Sequence, residues 1–425
     1  MSTIRLFYGR DSAEMKSRLE ASAKSDNLVS TLEVRETVLE DEVIDSIVAL
    51  IETGNVETVQ LDDCGAYLNA SAISMARALG KCKHVILSEP TFLSKFFLES
   101  FLTSATKLES LKIQDRLLAP QVEALAKGLK GNATLHTLDL SRSRIENVSA
   151  LAQGLFENKF LKCIKLRSVG LHDEEIATVV SSLCGHPVLE FLDLSFNHLR
   201  DTAPLGRLLQ SPKCRLSKLL IGYQNLWQTP KTNISSIVEG LKENKTLRNL
   251  GLANNKLRDD DTDLLVTVLK ESRSLEQLDI RENIFYDRDM VNLAEAAKVS
   301  RGLKKLLVVK NPFGSEGSLA LLEAVQENLG IIYLDVCCSD SIHQQIHYNT
   351  ALNRGGRRLL LERPKPPLAL WPLAMERANN IDWGENFTQN WGQQESSMLS
   401  DPRIDVLYHF LQKSPVIFEG MLCET

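Results

Sequence analysis

The segment Leu189-Glu-Phe-Leu192-Asp-Leu194-Ser-Phe-Asn197-His-Leu199 decides the fold of this chain. On an extended strand successive side chains point to opposite faces, so the alternating leucines share one face and the residues between them share the other. The segments 247–257 and 275–283 repeat the same spacing. The pattern predicts short strands that bury their leucines, each followed by an Asn whose amide can satisfy backbone groups where the chain leaves the strand.

This pattern recurs twelve times between residue 29 and about residue 340. Successive copies begin 26 to 28 residues apart, except for one step of 31 residues that indicates an insertion within 223–235, around Trp227. Asn holds the ninth place in part of the copies, whereas Ser143 or Gln224 holds it in others. A repeat of this length predicts a solenoid in which each copy contacts its neighbours. The copies begin at Val29, Val56, Cys82, Leu108, Leu135, Leu161, Leu189, Leu216, Leu247, Leu275, Leu303 and Ile331.

The stretches between the strands carry apolar residues at the spacing i, i+3, i+4 of a helix, as in 122–129 and 264–269. Helices outside are wider than strands inside, which bends such a stack into a horseshoe with a strand-lined concave face. The repeat length, the helix pattern and the Asn-x-Thr-Leu lead-in at Asn132 and Asn244 resemble the ribonuclease-inhibitor class of leucine-rich repeats. The resemblance implies an α/β leucine-rich-repeat solenoid over residues 1–340, a scaffold that unrelated functions share.

The repeat stops after Val336, and residues 341–425 are predicted to form a helical cap that covers the apolar side of the last copy. The first predicted helix breaks at Gly355-Gly356. A polar tract with Trp383 and Trp391 is expected to dock either on the last helices of this chain or on a partner. The stretches 352–359 and 370–379 resemble the C-terminal region of uncharacterised leucine-rich-repeat proteins from algae, a resemblance that implies no particular activity.

Composition excludes several classes of function. The 425 residues have a net charge of -6, which disfavours general binding to the phosphate backbone of nucleic acids. No apolar window reaches the length of a membrane span, which is about 18 residues. The eight cysteines form no CxxC pair, and the first residues lack the apolar core of a signal peptide. We therefore expect a soluble intracellular protein, cytoplasmic or alternatively nuclear, that binds neither nucleic acid nor membrane.

Candidate catalytic or metal-binding residues are few. His343 and His347 stand four residues apart on a predicted helix, yet the Glu of a zinc hydrolase motif is absent between them. Cys337-Cys338 is an adjacent pair of which we expect one thiol to face the core. The acidic run 259–263 is predicted to begin a helix, where carboxylates favour the positive end of the dipole. We find no phosphate-binding loop and no nucleophile motif, and we predict neither an enzyme nor a cofactor.

The predicted concave face is informative because its residues need not serve the core. The third, fifth, seventh and eighth places of each copy form this face. Its early copies carry an acidic patch of Glu33, Glu36, Asp62, Asp63 and Glu89. Aromatic side chains in the central copies, with arginines beside them, are typical of a protein-binding hot spot, although single apolar residues are ordinary on surfaces. The residues predicted to bind a partner are Phe191, Asp193, Phe196, Leu220, Tyr223, Lys165, Arg167 and Arg281.

These observations predict a non-enzymatic scaffold that binds a protein partner through its concave face. Two alternatives stay open. The first is a GTPase-activating protein or other regulator of a small GTPase, because the Ran GTPase-activating proteins share this type of repeat. Residues 341–425, however, hold 8 Lys/Arg and 9 Asp/Glu and lack the acidic C-terminal tail of those proteins. A structural subunit of a larger complex would differ mainly in whether its partner is permanent.

Overall fold

The computed structural model describes residues 2–7, 12–24, 29–67, 69–224 and 231–357. The chain forms two compact units, Met1–Leu247 and Arg248–Thr425. In both units, short parallel strands alternate with helices along the described residues. None of the described helices has the length and apolar character needed to cross a membrane.

Eleven strands lie in the described part of the first unit. Nine of them pair in parallel in one sheet, each with the next copy of the repeat, and β6 and β8 form a separate short pair. The strands of this unit are β1 (Ser2–Leu6), β2 (Val29–Leu39), β3 (Thr58–Ala66), β4 (His84–Ser88), β5 (Ser110–Gln114), β6 (Arg116–Leu117), β7 (Thr137–Asp139), β8 (Arg144–Ile145), β9 (Cys163–Lys165), β10 (Phe191–Asp193) and β11 (Lys218–Leu220). Its helices are α1 (Ser12–Lys24), α2 (Asp41–Glu52), α3 (Ala70–Leu79), α4 (Lys95–Thr103), α5 (Ala119–Gly131), α6 (Val148–Glu157), α7 (Asp173–Ser182), α8 (Ala203–Gln210) and α9 (Ser235–Glu243).

The second unit continues the same alternation. Its four described strands also pair in parallel with their neighbours in sequence. They are β12 (Asn249–Gly251), β13 (Gln277–Asp279), β14 (Lys305–Leu307) and β15 (Tyr333–Asp335). The described helices are α10 (Asp259–Glu271), α11 (Asp287–Val299), α12 (Ser315–Glu327) and α13 (Asp340–Arg354). The acidic run at 259 begins α10, as predicted.

The hydrophobic core confirms the phase of the repeat. The apolar residue that begins each of the twelve copies is buried, with at most 5% of its surface exposed. In the copy that decides the fold, Leu192, Leu194 and Leu199 are fully buried. Because a slip of one residue would turn all these side chains to the other face, the burial fixes the register. The predicted α/β leucine-rich-repeat fold is confirmed.

The Asn at the ninth place has the predicted role. The Asn197 amide donates to the carbonyls of Leu166 and Leu194, both at 2.8 Å. Its side-chain oxygen accepts from the backbone N–H groups of Val169 at 3.2 Å and Leu171 at 3.1 Å. One buried side chain thus joins two neighbouring copies through four buried backbone groups, of which the Leu194 carbonyl also accepts from the Gln224 amide at 2.8 Å.

A second row of hydrogen bonds lies three residues before the start of four copies, at Asn132, Asn158, Asn244 and Asn328. Asn132 donates to the carbonyl of Ala105 at 3.1 Å and accepts from the N–H of Leu135 at 2.7 Å. This explains the lead-in motif, because the same amide ends one helix and starts the next strand. His186 occupies this place in its copy; it is 5% exposed, and neither ring nitrogen has a well-formed hydrogen bond. Burial lowers the pKa of His186, and the nearby charge of Lys159 lowers it further.

The described end of the second unit agrees with part of the predicted cap. Helix α13 ends at Arg354, and Gly356 has a φ of 93°, so the predicted break at Gly355-Gly356 is confirmed. α13 packs on α12 and β15, and the Asn353 amide donates to the carbonyls of Val325 and Ile331. The later part of the cap, including Trp383 and Trp391, lies outside the described residues, as do residues 225–230 of the predicted insertion. The domain boundary at residue 340 stays a prediction.

Candidate protein-binding site on the strand face

Three neighbouring strands of the first unit bring most of the predicted partner-binding residues together. The parallel register aligns Phe191 of β10 with Lys218 of β11, and it aligns Asp193 with Lys165 of β9 and with Leu220 of β11. Leu192 lies between Phe191 and Asp193 and is fully buried, so the core is on the opposite side of the strand. Phe191 and Leu220 are half-buried on the other side, which we call the strand face.

Phe191 lies between two ammonium groups. The Lys218 Nζ is 4.8 Å from the centroid of its ring, and the Lys165 Nζ is 5.9 Å away. Both distances are in the range in which a cation is attracted to the negative face of an aromatic ring. The three side chains therefore form one group across β9, β10 and β11. Lys218 was not among the residues predicted to bind, although its third place in the copy puts it on this face.

A second group is a stack of three planar side chains. The rings of Phe196 and Tyr223 are 4.4 Å apart between centroids and 7° from parallel. The guanidinium of Arg167 lies over the Phe196 ring at 4.0 Å. The backbone N–H of Phe196 donates to the carbonyl of Gly222 at 2.9 Å, which fixes the two aromatic residues side by side. We call these two groups, together with the half-buried Leu220 of β11, the aromatic–cation cluster; it consists of Lys165, Arg167, Phe191, Phe196, Lys218, Leu220 and Tyr223.

The backbone at the eighth place of the repeat disfavours bulky side chains. In ten of the twelve copies this residue has a φ between 47° and 64°, in the left-handed region. Phe196 has a φ of 61° and Tyr223 has a φ of 60°. Asn and Asp tolerate this conformation, as at Asn254 and Asp63, whereas other residues lose roughly 1–2 kcal/mol. Backbone stability therefore does not favour aromatic residues at these two positions.

Asp193 is buried, with 6% of its surface exposed. The prediction that this side chain faces solvent is therefore wrong. Its Oδ1 accepts a hydrogen bond from the backbone N–H of Ser195 at 2.9 Å. Burial raises the pKa of Asp193; the hydrogen bonds from Ser195 and the charges of Arg167 and Lys165 oppose the shift. The same hydrogen bond recurs from Ser141 to Asp139, so this Asp has a structural role in the turn after the strand.

Arg281 lies in the second unit and is held by its own strand. Its Nε and Nη2 donate to the two carboxylate oxygens of Asp279, each at 2.9 Å. Only 17% of the Arg281 side chain is exposed. Such a bidentate pair neutralises much of the positive charge that the sequence placed on this face. Whether Arg281 binds a partner stays a prediction.

The acidic patch of the early copies is partly neutralised. Glu33 pairs with Arg5 at 3.0 Å, and Asp62 pairs with Arg35 at 3.5 Å. Arg35 occupies the seventh place of its copy, so the repeat phase alone could have placed it among the carboxylates. Arg5 comes from the neighbouring strand β1, which precedes the first of the twelve copies. The strand face of the early copies is thus less acidic than its carboxylates suggest.

The remaining candidate residues are the histidines His343 and His347, which both lie on α13, and the cysteine pair after β15. Within the described ranges, no group of three or more His, Cys, Asp or Glu side chains is placed to hold a metal ion. Cys337 is exposed and Cys338 is half-buried, so the expectation that one of them faces the core is wrong. In this last copy Leu334 and Val336 fill the core positions, and the two cysteines follow the strand.

Two ribonuclease inhibitors are similar to this chain in sequence. The pig protein is 31% identical over 175 residues, which are 39% of this chain and 37% of the inhibitor. The mouse protein is 26% identical over 226 residues, which are 50% of this chain and 48% of the inhibitor. The chain thus spans less than half the length of either relative. No model of a known protein family matches the chain.

Among solved structures, an internalin from Listeria monocytogenes has a TM-score of 0.46 and 16% sequence identity, and the match covers 77% of this chain and 90% of the internalin. The chain has the leucine-rich-repeat fold, and its repeats are similar to those of ribonuclease inhibitors.

Proposed function

We propose that the chain is a non-enzymatic scaffold that binds a partner protein at the aromatic–cation cluster on the strand face of the first unit. The observation that carries the proposal is the stack of Arg167, Phe196 and Tyr223. These side chains lie on a face that the core does not use, and the two rings occupy backbone positions that disfavour them. A feature that strains the backbone, adds little net stability and serves no core is explained by a function at the surface.

The physical properties of the stack suit protein recognition. Tyr and Arg are enriched among the residues that dominate binding energy, together with Trp. Rings that already stack in the free protein lose little conformational entropy when a partner covers them. The cluster also presents apolar area beside positive charge, so it can bury surface and orient a partner at once.

The relatives support binding as the function. A ribonuclease inhibitor, as its name states, acts on another protein. The identity of the partner is not carried over, because this chain spans less than half of either inhibitor. The cluster itself contains no carboxylate. Of the two carboxylates beside it, Asp193 is buried and hydrogen-bonded, and Asp139 pairs with Lys165 at 4.0 Å. A cytoplasmic or nuclear location stays a prediction.

Affinity purification with variants tests this proposal. The full chain, the double variant Phe196→Ala/Tyr223→Ala and the control Phe156→Ala/Phe160→Ala serve as bait, with retained proteins quantified by mass spectrometry. Phe156 and Phe160 are exposed by 53% and 46% in and just after α6, so the control removes two exposed rings from the same unit. We expect a set of proteins that the chain and the control retain and the double variant loses. A partner that all three retain equally would contradict the proposed site.

A further inference from the structure

The charge of the aromatic–cation cluster indicates what the bound part of the partner contains. The places of β9, β10 and β11 that form the strand face, with the turn residues that follow, carry three cations, Lys165, Arg167 and Lys218. Among these places the one carboxylate is Asp193, which is buried and accepts from a backbone N–H. Asp139 of the neighbouring strand β7 pairs with Lys165 at 4.0 Å, so the positive charge that a partner would meet is centred on Arg167.

Arg167 is placed to receive an anion. Its guanidinium carbon lies 4.0 Å from the centroid of the Phe196 ring, and the guanidinium carries several N–H groups that can donate to an anion. In the described residues these N–H groups have no hydrogen-bond acceptor and no carboxylate within 4.0 Å. The rigid fork of an arginine matches the two oxygens of a carboxylate. A guanidinium held on a ring is already oriented for that contact.

Arg142 adds a second cation beside it. The backbone N–H of Arg142 donates to the carbonyl of Arg167 at 2.7 Å, so the two arginines lie on neighbouring copies with their backbones in contact. Arg142 is exposed, and its side chain makes no ion pair in the described part of the chain. Ser168 follows Arg167 at the eighth place, is also exposed, and has a small side chain that leaves room above it.

From this arrangement we infer that the bound segment of the partner is acidic. The bound segment places a carboxylate over Ser168, within reach of Arg142 and Arg167. An apolar side chain next to that carboxylate packs against Phe196 and Tyr223. The inference rests on the proposed function, because it specifies the chemistry of a partner at the same site. Charge complementarity selects an Asp- or Glu-containing segment over a basic or neutral one.

Peptide selection tests the inference without knowledge of the natural partner. A random library of displayed peptides is selected on the immobilised full chain, and the composition of the enriched peptides is compared with the starting library. We expect an excess of Asp and Glu next to aromatic or aliphatic residues. The affinity of enriched peptides is then measured by fluorescence anisotropy for the chain and for the variants Arg167→Gln, Phe196→Ala and Arg207→Gln.

Arg207→Gln is the matched control, since Arg207 is an exposed arginine of α8. We expect Arg167→Gln to weaken binding about tenfold or more and to reduce its dependence on salt, with Arg207→Gln unchanged. Circular dichroism verifies that each variant is folded.

The outcomes separate the inference from the function on which it rests. Peptides that need Phe196 but are neutral or basic, and that bind Arg167→Gln normally, would overturn the acidic segment and leave the binding site intact. Acidic peptides that bind at least tenfold more tightly when phosphoserine replaces Glu would overturn a carboxylate ligand in favour of phosphate. Peptides indifferent to both Phe196→Ala and Arg167→Gln would contradict the proposed site itself.

Discussion

Removing one Asn of the hydrogen-bonded row should destabilise the repeat far more than the loss of one surface amide. Asn197 is 2% exposed, and its amide joins the carbonyls of Leu166 and Leu194 to the N–H groups of Val169 and Leu171. Asn197→Ala deletes these four hydrogen bonds, together with a longer one of 3.4 Å to the carbonyl of Ser195, and leaves a site that the surrounding side chains shield from water. The variant thus tests whether this row holds neighbouring copies together.

The magnitude follows from the groups left without partners. A buried polar group that loses its hydrogen bond costs about 1–3 kcal/mol. Two N–H groups at this cost give about 2–6 kcal/mol, and partial relaxation reduces it, so we expect Asn197→Ala to lower the free energy of unfolding by about 2–5 kcal/mol. Asn197→Ser should lose less, because Ser143 holds the same place in another copy. The Ser143 hydroxyl donates to the carbonyl of Ile113 at 2.9 Å and accepts from the N–H of Asp115 at 3.3 Å.

Urea denaturation followed by circular dichroism measures these differences. Asn147→Ala is the control, since the Asn147 side chain accepts one hydrogen bond, from the N–H of Ala150 at 3.1 Å, at the start of α6. Loss of such a cap costs about 1 kcal/mol. If Asn197→Ala destabilises the protein no more than Asn147→Ala does, the row contributes no special stability and the reasoning is refuted.

Three further changes test the core, a defect in the second row and the backbone strain. Leu250 is 2% exposed, and Leu250→Ala should lower the free energy of unfolding by roughly 2–5 kcal/mol in chemical denaturation. Leu319 is 49% exposed, and the control Leu319→Ala should change this free energy little. Equal effects of the two variants would contradict the assigned phase. The lowered pKa of His186 means that the unfolded chain binds a proton more readily there, so stability should fall as pH drops below the ordinary value of 6.5. His186→Asn should restore the hydrogen bonds seen at Asn158 and raise the free energy of unfolding by about 1 kcal/mol. Denaturation at pH 5 and at pH 8 should show a weaker pH dependence for this variant. An unchanged pH profile would count against the role assigned to His186. Phe196→Asn should change the free energy of unfolding by less than about 1 kcal/mol, because relief of the left-handed strain offsets the lost ring contacts. The same variant should weaken partner binding as strongly as Phe196→Ala does. A large loss of stability would show that the stack serves the fold.

The sequence predicts the repeat well because one residue type answers one physical demand at each place. A leucine such as Leu192 must be buried, and an amide such as that of Asn197 is needed where strands end. The geometry of the site depends on pairs of residues in neighbouring copies. The stack of Phe196 on Tyr223 requires both the register of two strands and the left-handed backbone at each ring, and neither can be read from one copy.

Charge pairing was missed for the same reason. Arg281 is neutralised by Asp279, two residues earlier in the chain. This spacing puts both side chains on the same face, but the place of one residue in the repeat does not predict the pair. Asp193 was assigned to solvent by its place in the repeat, but the turn after its strand turns the carboxylate toward Ser195. The phase of a repeat predicts which face a side chain occupies, while its contacts decide whether a partner can reach it.

The most direct test of the proposed binding site is an isothermal titration of the partner that the chain retains. The titration uses the chain, Phe196→Ala/Tyr223→Ala and Phe156→Ala/Phe160→Ala, each verified as folded by circular dichroism. Each aromatic anchor should contribute about 1–4 kcal/mol, so we expect the Kd of the first double variant to rise about thirtyfold or more, with the control within twofold of the chain. A Kd that stays within twofold for Phe196→Ala/Tyr223→Ala would contradict binding at the aromatic–cation cluster.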